Sequence, residues 1–378
     1  MLGKGRTAME RMETGGLVVR GCCHVYHALD IGFSVDLKRC AGLIQEARTR
    51  CGFHPHTRTP ACLNLRPAPV HVSQSMEPIR GRNFVTENSV AITIYDFGAV
   101  SVEYRVPFEG TLDQVTVLSS ELYDKALFAA DARSRAESLM AAIDPAVRRA
   151  NVRAETEDYL VFAVLARGED GRDLDEFLME NRQVLAQVVS SNTKPLSPQQ
   201  RREELSRNIA YYDDDLTIIT WNAAMIFGTN MADVLTVLEL ANVQLRELHY
   251  LDDQLDDNLR ASHDIRDRAK SVKTSMRNIR ELMLDGQAFS EAVTNAFKPF
   301  PDAFLARVYA LASRALGLQH FDRSIKDKLN LLHTLYTTLA DEAAHERSVR
   351  LEWIVIALIL IEIIMGFSEK LLPLLHRG

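Results

Sequence analysis

The sequence has few cysteines and no excess of positive charge. Five cysteines occur among 378 residues, and all of them lie at or before Cys62. An odd number at irregular spacing does not form a disulfide framework, so a reducing compartment is indicated. The formal net charge is −7, whereas a general nucleic-acid binder needs basic patches that neutralise phosphates. Nucleic acid is therefore not expected as a direct ligand.

The motifs of common enzyme classes are also missing. There is no Gly-x-x-x-x-Gly-Lys phosphate loop, no Gly-x-Ser-x-Gly elbow and no His-Glu-x-x-His pair. The N-terminal cysteines and histidines include no Cys-x-x-Cys pair, so core cysteines and surface histidines are preferred over a zinc site. We expect no catalytic residue, no metal site, no cofactor and no enzymatic activity.

Two acidic clusters keep one alternative open. They consist of Asp213, Asp214 and Asp215, and of Asp252, Asp253, Asp256 and Asp257. A solvated helix face, or a surface for a basic partner, is the preferred interpretation. A divalent-metal-dependent enzyme of unrecognised type is the alternative.

The N-terminal half predicts an α+β domain over residues 16–170. Residues 1–15 have no apolar core region, so they predict a disordered lead-in and no secretory signal. Strands are predicted at 17–28 and 158–166, and Asp36 can cap a helix at 37–51. Alternating apolar residues in 90–105 flank Asp96-Phe97-Gly98 and predict a tight hairpin. A further helix is predicted at 112–142, and a small antiparallel sheet covered by helices is the natural packing.

The second half has almost no strand pattern, and it predicts a helical domain over residues 171–348. Helices are predicted at 173–190, 198–211, 213–228 and 231–260. Within the later part, five residues follow one another at steps of four and three, which is a heptad seam. They are Ile325, Leu329, Leu332, Tyr336 and Leu339. One antiparallel helix pair inside the domain and an intermolecular coiled coil both explain this seam.

The C-terminal segment 351–372 predicts a membrane-anchor helix and tail. Its core, residues 351–367, reads LEWIVIALILIEIIMGF. Between Trp353 and Phe367, ten Leu, Ile, Val or Phe residues contribute roughly −3 to −6 kcal/mol to insertion, and one mid-helix acid costs about 2.5–3.5 kcal/mol. The residues expected to form the anchor are Trp353, Ile354, Leu358, Glu362 and Phe367. The alternative is a helix buried all round in the shared core of a soluble oligomer.

Several of these segments resemble the required-for-meiotic-nuclear-division family, also called domain of unknown function 155, in its bacterial-type members. The tail LEWIVIALILIE is similar to the family's C-terminal signature, and Tyr95 to Val100 resembles its Asp-Tyr-Gly-x-Val motif. Residues 211–224 and 238–257 are also similar, and the resemblance extends over about residues 18–372. It implies a non-enzymatic role, often with high-order oligomers and a C-terminal span. Asp96 and Gly98 match motif positions without an assigned role.

Together these patterns predict a non-enzymatic, membrane-anchored scaffold or assembly protein that oligomerises through its C-terminal helices. A single C-terminal span would leave the bulk of the chain cytoplasmic. The expected partners are the lipid bilayer, further copies of the same chain and an unknown protein.

Overall fold

The computed structural model divides the chain into two compact units. The first comprises Met1–Asp252 and Phe289–Arg323, and the second comprises Asp253–Ala288 and Ser324–Gly378. The lead-in predicted at 1–15 lies outside the described residues. The described residues are 18–51, 53–56, 67–124, 126–153, 155–167, 173–228, 231–265, 302–375 and the helical positions 277, 280, 281, 284, 286 and 287.

The first unit is built on a large mixed β-sheet. Its described part has nine strands in the order β3-β4-β5-β6-β1-β8-β11-β10-β9, and β2 pairs separately with β7. Neighbouring strands are antiparallel except β8 and β11, which are parallel. The strands are β1 (Val18–Asp30), β2 (Ser34–Val35), β3 (Phe53–His56), β4 (Val70–Ser75), β5 (Ser89–Ile94), β6 (Ala99–Thr111), β7 (Val147–Arg148), β8 (Glu157–Arg167), β9 (Asn208–Ile209), β10 (Leu216–Ile219) and β11 (Ala223–Phe227).

Eight continuous helices accompany these strands in the described part of the chain. The helix predicted at 112–142 is divided into two, α2 and α3, after the C-cap residue Tyr123. The helices are α1 (Leu37–Cys51), α2 (Leu112–Leu122), α3 (Ala126–Ile143), α4 (Leu174–Val189), α5 (Pro198–Ser206), α6 (Met231–Ile265), α7 (Ala303–Ala315) and α8 (Leu318–Leu375).

The sheet corrects two predictions. It is neither small nor wholly antiparallel, because it continues through β9, β10 and β11, which lie beyond residue 170. The helix predicted at 213–228 is a hairpin of β10 and β11. Its turn is fixed by Thr220, whose hydroxyl donates to the Val189 carbonyl over 2.8 Å and accepts the Ala223 amide over 3.3 Å. A short apolar run of this kind is compatible with either a helix or a buried strand.

One face of the sheet packs against α1 to α4. The α1 helix begins where predicted, because the Asp36 carboxylate accepts the amides of Lys38 and Arg39 at 3.1 Å each. Leu37, Cys40 and Ile44 then fall on one buried face of that helix. Together with apolar side chains of β1, β5, β6 and β8 they form the principal core.

The opposite face of the sheet is covered by α6. Leu240 and Val243 of this helix pack against Ala28, Tyr95 and Ala99. Because both faces are covered, β1 is buried along most of its length, which is the pattern of a central strand. Polar residues on this second face are consequently enclosed between the sheet and α6.

The second unit contains the C-terminal part of α6 and most of α8. Lys328 Nζ on α8 lies 2.6 Å from Asp256 Oδ1 on α6. Leu255, Ile325 and Leu332 are buried beside this ion pair. The beginning of the heptad seam is therefore covered within the chain.

No described helix is long and apolar enough to cross a membrane. The uninterrupted apolar run between Glu352 and Glu362 has only nine residues, 353–361. At about 1.5 Å per residue this run spans roughly 14 Å, whereas the hydrocarbon core is about 30 Å thick. The predicted C-terminal membrane anchor, and the membrane localisation derived from it, are therefore wrong.

Candidate functional site

The most unusual surface among the described residues is residues 351–363 of α8, here called the apolar segment. Ten of its side chains are large and apolar, and each is 51–67% exposed. They are Leu351, Trp353, Ile354, Val355, Ile356, Leu358, Ile359, Leu360, Ile361 and Ile363. Exposed apolar surface of this extent normally marks an interaction site.

The residues expected to anchor the chain fall mainly within this segment. Trp353, Ile354 and Leu358 are exposed on the helix, and so is Glu362. The side chain of Phe367 lies outside the described part. These residues therefore form an exposed helical surface rather than a membrane span.

The predicted heptad seam lies further up the same helix. Ile325 is 3% exposed and Leu332 is fully buried, whereas Leu329 and Tyr336 are half-buried. The Leu339 side chain is not among those described. Burial thus decreases along α8 from the seam to the apolar segment.

The acidic clusters have partners within the chain. Asp256 pairs with Lys328, and Asp257 Oδ1 is 3.7 Å from Arg260 Nη1. Asp215 accepts the Tyr211 amide over 2.6 Å. Within the described residues, no three His, Cys, Asp or Glu side chains are placed to hold one metal ion.

Burial raises the pKa of Cys22 and of Cys40 to about 12, so both thiols are protonated near neutral pH.

A polar group on the α6-facing side of the sheet was missed by the sequence analysis. Its centre is Glu103 of β6, whose carboxylate lies 2.6 Å from His24 Nδ1 and accepts Arg105 Nε over 3.0 Å. Burial alone would raise the pKa of Glu103. The hydrogen bond and charge of His24, together with Arg105, outweigh burial and lower this pKa to about 2. Glu103 is therefore a carboxylate throughout the physiological range.

Glu239 of α6 faces this group, and its pKa is shifted in the opposite direction to that of Glu103. Burial, and then the negative charge of Glu103, raise the pKa of Glu239 to about 7, while Ser101 and Thr93 oppose the rise. Glu239 is half-buried. Near neutral pH Glu239 is therefore only partly ionised, next to the permanently charged Glu103. Two acids so far apart in sequence give no local signal of this pairing.

A second buried charge cluster joins β1 to α6. Asp30 is 2% exposed, and its carboxylate accepts the Gly32 amide over 2.9 Å. Arg153 Nε lies 3.8 Å from Asp30, and its guanidinium lies 4.6 Å from the Tyr250 ring centroid. Burial raises the pKa of Asp30 to about 6 and raises that of Glu247 well above its usual value. This cluster sits where sheet and helix are in contact, so it fixes their packing.

The hairpin residues have a structural role. Gly98 has φ +94°, and a Cβ at this position would collide with the Gly32 carbonyl oxygen. The Gly98 carbonyl accepts the Ile31 amide over 2.9 Å, and the Asp96 carbonyl accepts the Val35 amide over 2.7 Å. The motif therefore holds the β5–β6 turn against the chain that follows β1.

The sheet of the first unit, from β1 to the beginning of α6, corresponds to a known protein family. A sequence model described as "Uncharacterized protein MJ0711, N-terminal domain" matches residues 20–233 of the 378. The chain belongs to this family. The uncharacterized protein MJ0711 of Methanocaldococcus jannaschii is 20% identical over 297 residues, which are 75% of this chain and 84% of that relative. No solved structure matches the chain.

This membership corrects the resemblance drawn from the sequence. Neither the matching family nor the relative is the required-for-meiotic-nuclear-division family, so that prediction is wrong. The motifs that suggested it were a hairpin with an obligatory glycine and an apolar helical tail. Residues 211–224 and 238–257 also contributed to it, and short segments of these kinds occur in unrelated proteins.

Proposed function

We propose that this protein is a non-enzymatic assembly protein, whose copies associate through the apolar segment 351–363. The observation that carries the proposal is the exposure of ten large apolar side chains on one uninterrupted helix. Burying one such side chain fully is worth about 1.5–3 kcal/mol, so covering ten that are half exposed is worth roughly 8–15 kcal/mol per chain. That is comparable with the cost of association, about 4–15 kcal/mol.

The heptad register supports a second copy of the same helix as the occupant. Steps of seven from Ile325 and Leu332 are interrupted by the charged Glu346, and the apolar repeat resumes at Trp353 and Leu360. The side chains of the seam that are buried pack within the chain, whereas their continuation is exposed. Helices whose repeat continues in this way pair with helices of the same repeat. The apolar segment thus has the pattern of a helix that pairs with its own copies.

The distribution of the apolar side chains favours an assembly of more than two chains. A dimeric coiled coil covers one narrow stripe of each helix. In the apolar segment the exposed apolar residues run almost consecutively from Trp353 to Ile361 and therefore face all directions. A helix that is apolar all round is covered only in the interior of a bundle.

The experiment compares the wild type with two charge variants by sedimentation velocity in detergent-free buffer. Leu358→Glu places a charge in the apolar segment, and Met179→Glu places one at a residue of α4 that is 65% exposed. We expect an oligomer for the wild type and for Met179→Glu, and a shift to single chains for Leu358→Glu. A wild type that sediments as a single chain, or equal behaviour of both variants, would refute the proposal.

A further inference from the structure

A small cavity in the first unit combines aromatic rings with carboxylates. It has a volume of about 160 Å³ and lies among the loop before β10, the strands β10 and β11, and the N-terminal ends of α6 and α7. Its aromatic and acidic lining residues are Tyr211, Tyr212, Phe304, Asp215, Asp233 and Asp302.

The rings are packed edge to face around Tyr211. The Tyr211 ring centroid lies 4.6 Å from that of Tyr212 and 5.3 Å from that of Phe304, with interplanar angles of 79° and 74°. Tyr211 is 57% exposed and Tyr212 is 64% exposed. Ring faces are therefore left available to a ligand at the cavity, since edge-to-face packing covers only one face of a pair.

Two of the carboxylates are held in place by the backbone. Asp215 accepts the Tyr211 amide over 2.6 Å, which closes the loop that carries both tyrosines. Asp302 caps α7 by accepting the amides of Phe304 over 2.6 Å and Leu305 over 3.3 Å. These hydrogen bonds tie Asp215 to the Tyr211 backbone and Asp302 to the Phe304 backbone, so each carboxylate is positioned beside one of the rings.

Among the described residues, the charged side chains that line the cavity are all acidic. The backbone amides at the N-terminal ends of α6 and α7 offset part of the charge of Asp233 and Asp302. None of the described residues that line it is Lys or Arg, whereas three are Asp. The guanidinium of Arg307 lies over the Phe304 ring at 5.8 Å from its centroid. Arg307 is exposed and is not a lining residue, so it leaves the interior of the cavity to a ligand.

We propose that this cavity binds an organic cation, an alkylammonium or guanidinium group. Aromatic ring faces attract such cations, and aromatic cages are the usual sites for quaternary ammonium groups. The three carboxylates add a negative potential, which a concave, partly apolar wall concentrates. The volume corresponds to about five water molecules, which suits a compact charged head group rather than a large ligand. An inorganic divalent ion would instead require a shell of oxygen ligands, for which the aromatic rings offer nothing.

The test is titration calorimetry of the intact protein with matched probes. Choline and ethylguanidinium carry the proposed charge, and 3,3-dimethylbutan-1-ol has the shape of choline without its charge. We expect the charged probes to bind at least about tenfold more tightly than the uncharged one, because ring faces and carboxylates both favour the cation. Equal binding of choline and the alcohol, binding of magnesium or calcium in place of the organic cations, or no binding at all would overturn the proposal.

Substitutions of lining residues test whether the cations bind in this cavity. Tyr212→Ala and Asp233→Asn should each weaken choline binding by about fivefold or more. Trp221→Ala is the matched control, because Trp221 is 57% exposed but lies outside the cavity, against Tyr123. If Trp221→Ala weakens binding as much as the cavity variants, the site is elsewhere and the assignment fails.

A second comparison distinguishes a small-molecule cation from a lysine or arginine side chain of another protein as the ligand. Free butylammonium and ethylguanidinium represent a small-molecule ligand, and end-blocked tripeptides with a central lysine or arginine represent a protein side chain. Tighter binding of the free cations would identify a small molecule, and tighter binding of the tripeptides would identify a basic segment of a protein. Either result supports the cation site, and neither depends on self-association through the apolar segment.

Discussion

His24 and Glu103 face each other across the neighbouring strands β1 and β6, with His24 Nδ1 2.6 Å from Glu103 Oε1. This contact, with the adjacent Arg105, keeps Glu103 charged inside the layer between the sheet and α6. The polar group therefore links β1 to β6 on the face of the sheet that α6 covers. The lowered pKa of Glu103 also makes the free energy of unfolding decrease at acidic pH.

Glu103→Gln should lower the free energy of unfolding at pH 7 by roughly 2–3 kcal/mol, because the folded-state pKa of Glu103 lies below its ordinary value of 4.5. A lowered pKa stabilises the fold above pH 4.5, and this contribution is lost as the pH falls from 4.5 toward 2. Urea denaturation over this range measures it. Glu109→Gln, at an exposed residue of the same strand, should show no comparable change. A constant difference between wild type and Glu103→Gln at all pH values would contradict this account.

Glu239→Gln should have the opposite effect. Because the folded-state pKa of Glu239 is raised to about 7, the contribution of this residue to stability is present below pH 4.5 and is lost as the pH rises through 7. We expect the variant to be more stable than the wild type at pH 8, by about 1–2 kcal/mol given the partial exposure of the side chain, and indistinguishable at pH 4. Urea denaturation at pH 4 and pH 8 measures the difference in the free energy of unfolding. Asp253→Asn, at an exposed residue of the same helix, is the control. A loss of stability at pH 8 would show that Glu239 is bound there as a carboxylate.

Gly98→Ala should destabilise the first unit by about 1–3 kcal/mol, since Gly98 has φ +94° and its Cα faces the Gly32 carbonyl. Gly42→Ala is the matched control. Gly42 lies in α1, and a Cβ there meets nothing within 4 Å, so this change should stabilise the protein by about 0.5–1 kcal/mol. Thermal unfolding measures both. Tolerance of Gly98→Ala would mean that the hairpin can move away from Gly32.

Much of the first unit could be predicted from the sequence, for local reasons. The α1 helix has a capping aspartate and one apolar face, and the hairpin of β5 and β6 alternates around a glycine. The hairpin of β10 and β11 could not be predicted in the same way, because most of LTIITWNAAMIF is apolar. Its turn depends on the contact of Thr220 with Val189, the last residue of α4, and on that of Asn222 with Ser191. Apolar runs of this length have no periodicity that separates helix from strand.

The candidate sites were less accessible to sequence analysis. Glu103 and Glu239 belong to different elements, and only the folded sheet brings them together. The composition of the apolar segment was recognised, but the energy estimate for membrane insertion counted residues without regard to the short run between Glu352 and Glu362. The heptad seam was recognised, and the position of Lys328 beside Asp256 explains why part of it is covered within the chain.

Glu362→Leu should tighten self-association by at least about tenfold. In a shared apolar core, each Glu362 carboxylate would lose its hydration, which costs several kcal/mol for an unpaired charge. The sedimentation of serially diluted samples measures the change in the association constant. Glu203→Leu, at an exposed residue of α5, adds the same side chain outside the segment and should leave association unchanged. Weaker association of Glu362→Leu would show that this acid makes a favourable contact between copies.

The most direct test of self-association through the apolar segment is the fluorescence of Trp353 as a function of protein concentration. The chain has two tryptophans, so Trp221→Phe leaves Trp353 as the only reporter. Trp353 is 67% exposed in the single chain. The proposal predicts that its emission shifts to shorter wavelength, and that quenching by acrylamide decreases, over the same concentration range in which the sedimentation coefficient rises. Emission of an exposed indole at all concentrations, with the mass of one chain throughout, would contradict it.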